Sequence, residues 1–202
     1  MKLRLPIAAL AAAMATTIAY AQEPEPKHPG RDAAAVPGFR AELLGGYDDD
    51  GFSSGLLYGG RIGYDFKIGD RFLLGLDGEI NDVDTHRTLD IGTQPPLRAK
   101  DGSEIYVGGR VTFALSSRFR LYGGAGYARL KQGVFVQTEV TPPPFGTFGV
   151  RRFTVDGYRL SAGAQFLLGK RAFLGAEYRG SIYQDFGSSH RDQLVGSLGI
   201  RF

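Results

Sequence analysis

The C-terminal stretch of the chain alternates between two kinds of side chain. Leu194, Leu198 and Phe202 belong to an apolar face, whereas Gln193 and Arg201 lie among small or polar residues on the other face. A period of two residues predicts a β-strand, because successive side chains of a strand point to opposite sides. The apolar face suits hydrocarbon. A soluble β-sandwich can also contain one such strand, so the rest of the chain must distinguish the two.

Similar stretches recur along the chain, and each has about the nine to twelve residues that a tilted strand needs to cross a bilayer. The eight predicted strands are Phe39–Tyr47, Gly55–Phe66, Phe72–Asp82, Glu104–Phe113, Phe119–Leu130, Gly157–Phe166, Phe173–Tyr183 and Arg191–Phe202. The chain is therefore predicted to be all-β.

The predicted connections differ in length. Lys67–Arg71, Ala114–Arg118 and Leu167–Ala172 read as tight turns, while the connections that begin at Val83 and Lys131 run past twenty residues. Short turns at one end and longer loops at the other are typical of an up-and-down outer-membrane barrel with both termini in the periplasm. A soluble barrel has no need for that asymmetry.

The two faces of the predicted strands differ in polarity. The outward set is Leu43, Tyr58, Ile62, Tyr64, Leu74, Leu76, Ile80, Val107, Val111, Leu121, Ala125, Leu160, Ala162, Ala164, Leu174, Ala176, Tyr178 and Ile182. The inward set is Arg40, Glu42, Arg61, Asp65, Asp77, Glu79, Arg110, Arg120, Arg159, Glu177, Arg179 and Arg201. A water-soluble barrel would invert this arrangement. Because a charge facing lipid costs about 2–4 kcal/mol at the midplane, the alternation favours a membrane barrel.

Aromatic residues mark the two ends of the predicted strands. One phenylalanine lies at the same end of each strand: Phe39, Phe66, Phe72, Phe113, Phe119, Phe166, Phe173 and Phe202. Tyrosines lie near the opposite ends: Tyr47, Tyr106, Tyr127, Tyr158 and Tyr183. Two aromatic girdles around an apolar band indicate two membrane–water interfaces. Phe173 alone is out of phase with the apolar face of its strand.

The N-terminal segment is predicted to be an export signal followed by a linker. Lys2 and Arg4 precede an Ala-rich apolar run, and Ala19-Tyr20-Ala21 forms a cleavage site, so residues 1–21 are predicted to be a signal peptide. Residues 22–38 are rich in Pro, Ala and charge and are predicted to be an extended periplasmic tether. Residues 39–202 form the predicted barrel domain.

Composition narrows the possible functions. The formal charge of +3 comes from 24 basic and 21 acidic residues, and loss of Lys2 and Arg4 with the signal peptide leaves 22 against 21. A nucleic-acid-binding protein would normally show a clustered basic patch, so no nucleic-acid partner is expected. The chain has no cysteine and therefore no disulfide framework.

Residues 39–202 resemble the small eight-stranded outer-membrane proteins of the OmpA/OmpX and opacity-protein class, the outer membrane protein beta-barrel domain families. The resemblance is carried by the terminal Gly199–Phe202, by the hairpin Tyr64–Phe72, and by its echoes Phe113–Phe119 and Phe166–Phe173. It implies an antiparallel up-and-down transmembrane β-barrel of eight strands in the bacterial outer membrane. It also implies that Phe202 is part of an assembly signal for the insertion machinery. Outer-membrane lipid and lipopolysaccharide would then surround the barrel.

Two families of lipid A-modifying enzymes, the palmitoyltransferases and the deacylases, resemble this architecture. They need a histidine with a serine and an acid near the outer leaflet. The candidates are His86, and His190 with Ser188, Ser189, Asp185 and Asp192. Side chains of adjacent residues diverge on a strand, so Ser189 and His190 make a poor pair. We therefore predict no catalytic residue, no metal site and no cofactor, and keep a lipid A-modifying enzyme as an alternative.

Three further motifs have structural interpretations. Asp48–Gly51 lacks the alternate-residue spacing of a calcium loop and reads as a solvated turn. The pairs of adjacent glycines are expected to relieve crowding inside a narrow barrel. Residues 134–155 read as a hairpin that continues beyond the membrane, with Thr141–Gly146 as its turn.

The sequence predicts a monomeric, non-enzymatic outer-membrane protein with a structural or surface-interaction role. Its lumen would be plugged by the inward charges, seven arginines and five acids, because eight strands leave room for little more than side chains. The hairpin at 134–155 is the predicted site for a surface partner. A narrow porin-like channel remains a second alternative.

Overall fold

The computed structural model describes residues 35–51, 53–89, 97–139, 147–184 and 189–202. Within these ranges, only the backbone is described for residues 86–89, 97–100, 134–139, 147–149 and 189. The predicted signal peptide, the tether up to residue 34 and the predicted turn Thr141–Gly146 lie outside the described residues. No helix in the described part of the chain is long and apolar enough to cross a membrane.

Nine strands make up the described fold. They are β1 (Gly38–Asp49), β2 (Ser54–Lys67), β3 (Phe72–Leu89), β4 (Leu97–Lys100), β5 (Ser103–Ala114), β6 (Phe119–Glu139), β7 (Thr147–Leu167), β8 (Ala172–Tyr183) and β9 (Ser189–Arg201). All eight predicted strands are present, and the all-β prediction is confirmed.

Eight of these strands close into a barrel. Each pairs antiparallel with its neighbour in the chain, and β1 pairs with β9, with Arg40 opposite Arg201 and Leu43 opposite Leu198. β4 pairs only with β3 and lies outside the ring. The predicted antiparallel up-and-down barrel of eight strands is therefore confirmed. Closure leaves no free edge around the barrel wall, so main-chain polar groups there are paired within the protein.

Three tight turns with the same backbone pattern lie at one end of the barrel, which we call the turn end. In each, the first turn residue donates its amide to the carbonyl of the first residue of the next strand: Ile68 to Phe72, Leu115 to Phe119, and Leu168 to Ala172 (3.0–3.1 Å). This repetition matches the hairpin Tyr64–Phe72 and its predicted echoes. The opposite end, which carries the connections after β1, β3, β6 and β8, is the loop end.

The connection after β3 was predicted as a loop, and this was wrong for much of its length, whereas the hairpin predicted at residues 134–155 is present in its paired arms. β3 continues to Leu89 and pairs with β4, while β6 and β7 each have 21 residues and pair as far as Glu139 and Thr147. At about 3.4 Å per residue, 21 residues extend about 70 Å, roughly twice the length needed to span hydrocarbon. The predicted strands were ended at the length that is needed to cross a bilayer. Paired strands can continue beyond that length, because they satisfy their backbone groups in water as well.

Candidate functional site

The barrel interior contains all twelve residues of the predicted inward set. Each is buried, with at most 6% of its surface exposed. Eleven of them form ion pairs within 4 Å, and Arg120 forms none with a described residue. Their proximity follows from β-strand alternation, which sends every second side chain into a lumen of limited width.

Ion pairs cross the middle of the lumen and converge on Glu79. Arg61 Nε donates to Glu79 Oε2 at 2.8 Å, and the guanidinium groups of Arg159 and Arg179 donate to Oε1 at 2.8 and 2.7 Å. Glu177 accepts from Arg61 and Arg179, each at 2.8 Å. These contacts link β2, β3, β7 and β8. Because each carboxylate binds arginines from at least two strands, we call this group the cross-barrel clamp.

A second cluster lies closer to the turn end. Arg40 is bound by three carboxylates: it donates to Glu42 and Asp77 at 2.6 Å and to Asp65 at 2.9 Å. Arg110 lies 3.6–3.8 Å from the same three carboxylates, at the outer limit of an ion pair. Arg40 and Arg110 thus share the same three carboxylates. Arg120 and Arg201 are further arginines of this cluster.

A third cluster, at the loop end, was missed by the sequence analysis. Arg191 Nη2 donates to Asp101 Oδ2 at 2.6 Å, and its Nε lies 3.1 Å from Asp48 Oδ1. Asp48 also accepts from Thr85 at 2.8 Å and from Gln193 at 2.9 Å. The predicted solvated turn is therefore corrected for two of its residues, because Asp48 is fully buried and Asp50 is 9% exposed.

Glu104 is another inward charge that sequence reasoning missed. It forms an ion pair with Arg159 and accepts a hydrogen bond from Tyr183. Glu104, Asp48 and Arg191 share the inward phase of their strands but fell at or beyond the predicted membrane span. Strand phase could have identified these three, whereas Asp101 precedes β5 and is placed by its amide bond to the Thr85 carbonyl (3.0 Å).

Apolar side chains lie between the loop-end cluster and the charges below it, and Glu104 crosses this layer: Gln193 donates to Asp48 and, at 3.4 Å, to Glu104, which pairs with Arg159. All eight barrel strands contribute a buried side chain to one cluster, whose members are Leu44, Leu57, Val83, Tyr106, Ala128, Leu130, Val155, Tyr183 and Val195. This layer was not predicted, because the interior was expected to be polar throughout.

Interior glycines make room for the large side chains of the lumen. A Cβ at Gly163 would lie 2.6 Å from the Tyr122 ring and hydroxyl, and one at Gly199 would overlap the Phe173 ring. Tyr122 in turn donates to Glu177 Oε2 at 2.7 Å. One residue of each predicted Gly-Gly pair has the inward phase. The glycines therefore allow aromatic rings to lie flat against the barrel wall.

The outer surface is apolar between two aromatic levels. None of the eighteen predicted outward residues is buried, and Leu43, Ile62 and Leu76 expose 60–71% of their surface. Five of the predicted phenylalanines are exposed, namely Phe39, Phe66, Phe72, Phe166 and Phe202. Exposed apolar residues over a whole barrel wall are unfavourable in water and favourable in lipid.

Three aromatics were assigned to the wrong face. Tyr106, Tyr183 and Phe173 are 5%, 1% and 0% exposed, so they lie in the interior instead of in the outer girdles. Tyr106 stacks under Arg159, whose Cζ is 4.8 Å from the ring centroid. Each has the inward phase of its strand, which outweighs its position near a strand end. Tyr47, Tyr127 and Tyr158 are exposed at the loop end, as predicted.

Outward tyrosines at the loop end donate to aspartates on the neighbouring strand. Tyr178 donates to Asp192 at 2.8 Å, and Tyr127 donates to Asp156 at 2.5 Å. Asp156 also accepts from Arg129 Nε at 2.7 Å. Hydrogen bonds from Arg129 and Tyr127 lower the pKa of Asp156, which lies above the aromatic level and is exposed.

The candidate catalytic residues do not form a described triad. His190 is exposed and its main chain pairs with Ile182. Asp185 and Ser188 lie outside the described residues, as do the side chains of His86 and Ser189. No group of three or more metal-ligating side chains occurs among the described residues.

The long β6–β7 hairpin extends beyond its neighbours. Pairing of β6 with β5 stops at Leu130 and pairing of β7 with β8 stops at Gly157, whereas β6 and β7 pair with each other as far as Glu139 and Thr147. On its other edge, β7 pairs with no described strand over residues 147–155, and this edge is reached at Asp156, whose carbonyl accepts the amide of Gln184 at 2.9 Å. The exposed side chains include Val150, Arg151, Arg152, Phe153 and Lys131.

A closed barrel with an apolar outer wall, aromatic levels at both ends and charges inside defines a transmembrane β-barrel of the outer-membrane type. The chain belongs to the family described as outer membrane protein beta-barrel domain, whose model matches residues 7–202. Localisation to the bacterial outer membrane follows from this membership. No curated protein sequence matches the chain.

Solved structures share the fold at low sequence identity. The chain is similar to Ail, the attachment invasion locus protein of Yersinia pestis, in complex with the heparin analogue sucrose octasulfate: 14% identity, 82% of this chain, 97% of that one, TM-score 0.52. A second Ail structure gives 14% identity, 83% and 100% coverage, and TM-score 0.51. Neisserial surface protein A has 14% sequence identity to this chain, with 86% of this chain and 99% of that one covered and a TM-score of 0.49. At such identity the likeness shows the fold alone.

Proposed function

We propose that this protein is a non-enzymatic surface-interaction protein, with the barrel as a rigid scaffold and the β6–β7 hairpin as its recognition surface. The edge of β7 that no described strand pairs with, over residues 147–155, carries the proposal. An exposed strand edge offers a row of main-chain donors and acceptors, and a partner can bind it by adding a strand. Loops on a rigid scaffold commonly carry such functions.

The chemistry of the hairpin favours an anionic partner. Arg151, Arg152 and Lys131 are exposed beside the apolar Val150 and Phe153. The Ail structure in complex with a heparin analogue offers a probe of matching charge. Sulfated polysaccharide is therefore the first ligand to test, and strand addition by a protein partner is the second.

The hairpin proposal is tested by replacing residues 134–153 with a short turn. The shortened barrel is expected to fold and to lose binding to heparin or to surface partners captured by the intact protein. Arg151→Gln with Arg152→Gln should weaken heparin binding, whereas Arg118→Gln, an exposed turn-end substitution, should leave it unchanged. Loss of membrane insertion on shortening would make the segment structural, and unchanged binding would exclude it as the recognition surface.

The lumen is proposed to be closed by side chains. Support comes from side chains that contact one another across the lumen, namely the apolar layer and the ion pairs on Glu79, because eight strands leave room for little more than side chains. In planar bilayers the protein should give no steady porin-sized conductance. A large, stable open channel would instead favour the channel alternative.

The orientation is proposed from the turns: short turns face the periplasm in outer-membrane barrels, and both termini would lie there. The mature protein is expected to begin near Gln22 after removal of the signal peptide, with residues 22–38 as the tether. N-terminal sequencing and protease access on intact cells would test this. Deletion of Phe202 should reduce outer-membrane levels, and normal levels would argue against its role as an assembly signal.

A direct measurement distinguishes the proposed function from the alternative of a lipid A-modifying enzyme. Mass spectrometry of lipid A from cells with and without the protein should show the same acyl-chain composition if the proposed function is right. A changed acyl-chain count would favour the enzyme.

A further inference from the structure

The buried charges are unevenly distributed along the lumen. The turn-end cluster holds Arg40, Arg110, Arg120 and Arg201 against Glu42, Asp65 and Asp77. The middle holds Arg61, Arg159 and Arg179 against Glu79, Glu104 and Glu177, and the loop end holds Arg191 against Asp48 and Asp101. The interior is thus neutral over these sixteen residues, with one excess positive charge at the turn end. An unpaired buried charge is costly.

Arg120 is the arginine without a carboxylate of its own. It is 3% exposed, forms no ion pair with a described residue, and its Nη1 has no hydrogen-bond acceptor. Asp65 attracts it at longer range, but Arg201 Nη1 already holds Asp65 at 2.9 Å. Arg110 repels Arg120, and both repel Arg201.

Further unpaired donors lie beside Arg120. Gln165 is its direct cross-strand partner; its Oε1 accepts from Arg201 at 3.3 Å, while its Nε2 has no acceptor. Thr112 Oγ1 and Arg201 Nε also lack partners. Gln165 and Thr112 are each 1% exposed. With Arg120, four strands (β5, β6, β7 and β9) therefore direct donors toward the turn end, where unpartnered donors outnumber the two unpartnered acceptors, Glu42 Oε2 and Asp65 Oδ1.

We propose that this region is a binding site for a small oxyanion such as inorganic phosphate, held by Arg120, Arg201, Gln165 and Thr112. Water can satisfy hydrogen bonds there, but it cannot neutralise the excess positive charge. Guanidinium groups present parallel N–H donors that match pairs of oxygen atoms, which favours an oxyanion over chloride. Arg120 follows the first residue of β6, so the site lies near the turn-end opening.

The apolar layer lies between this site and the loop end. An anion that enters at the turn end would meet Leu44, Leu57 and the other members of that layer before it could reach the loop end. The site would therefore be one-sided, open to the periplasm in the proposed orientation. The side of the membrane that the site faces rests on the orientation given under the proposed function. Phosphate binding itself does not, because it is a property of the purified barrel.

The test uses the full-length mature protein folded in detergent micelles. Inorganic phosphate is added at constant ionic strength while the side-chain amide resonances of Gln165 are followed by NMR and the unfolding midpoint is measured. Saturable movement of the Gln165 signals and a rise in the midpoint are expected, because binding to the folded state alone stabilises it. Sulfate should compete, whereas chloride at equal ionic strength should not.

Variants identify the groups involved. Arg120→Gln is expected to reduce phosphate affinity at least tenfold, and Thr112→Val to reduce it less. Arg118→Gln, two residues away on the exposed turn, should bind as the wild type does. Absence of saturable movement of the Gln165 signals in the wild type would overturn the proposal, as would equal affinity of the Arg120→Gln variant. The first outcome needs no variant, so a folding defect of Arg120→Gln does not obscure the result.

Discussion

Two parts of the barrel interior are filled by different chemistry. The charged half runs from the turn end to the middle, where Glu79 receives three arginines, and the apolar half lies between it and the small charged cluster of Arg191 at the loop end. Toward the loop end, all eight strands contribute an apolar side chain to one layer. The charged half depends on particular partners, whereas the apolar half depends on volume and shape. The contrast teaches that an eight-stranded membrane barrel can combine a paired ionic interior with a conventional hydrophobic core.

The largest expected effect comes from the charged half. Glu79→Gln keeps the shape of the side chain but leaves Arg61, Arg159 and Arg179 without their shared carboxylate. Removal of one partner from a buried ionic network costs about 3–5 kcal/mol in the free energy of unfolding. Urea unfolding of the barrel in lipid vesicles would measure it.

Asp49→Asn is the control for Glu79→Gln. Asp49 only accepts the amide of Gly51 at 2.7 Å in an exposed turn, and an amide oxygen can still accept it. Equal stability of the two variants would mean that water in the lumen screens the Glu79 network. Glu177→Ala should likewise destabilise the barrel more than Asp49→Ala does.

The second effect belongs to the apolar half. Leu57→Ala removes a side chain that is 1% exposed and leaves a cavity, at a cost of about 2–5 kcal/mol. Its neighbour Leu56 points outward and is 65% exposed, so Leu56→Ala leaves no cavity and should cost less. Thermal or urea unfolding of both variants provides the comparison. If Leu56→Ala were the more harmful change, the apolar layer would not act as a core.

The third effect concerns the packing of interior side chains against glycines of the barrel wall. Gly199→Ala places a Cβ where the Phe173 ring lies, and such overpacking costs about 1–3 kcal/mol. Gly196→Ala, on the outward face of the same strand, meets its nearest atom at 3.7 Å and should be close to neutral. The shift from heat-resistant to heat-denatured mobility in gels, measured against temperature, would separate them.

The smallest effect is expected outside the barrel. The pKa of Asp156 is lowered in the folded state, so its pairing with Arg129 adds stability above the unfolded pKa of about 3.9 and loses it as the pH falls through the lower folded value. Both side chains are about half exposed, so salt screens the pair. Asp156→Asn should change stability least of all these variants, and its small effect should vanish in high salt. A large, salt-independent loss would show a buried role.

Most of the architecture was predictable because β-strands repeat every two residues. The phase that placed Arg110 inside and Val107 outside also places Tyr106 inside, and the error in the girdle came from weighing its position near a strand end above its phase. Glu104 and Arg191 were missed for a related reason, since they lie at or beyond the bilayer limit used to bound the strands.

The sequence by itself determined which side chains face lipid and which face the lumen, because alternation along a strand is a local property that the cost of a lipid-facing charge enforces. Only the tertiary structure decided which charged side chains pair with each other across the lumen. Glu79 and Arg179 are 100 residues apart in the chain, and their hydrogen bond depends on the stagger and closure of the strands. The same holds for Arg120, whose phase was predictable but whose lack of a partner depends on how three carboxylates are shared among its neighbours.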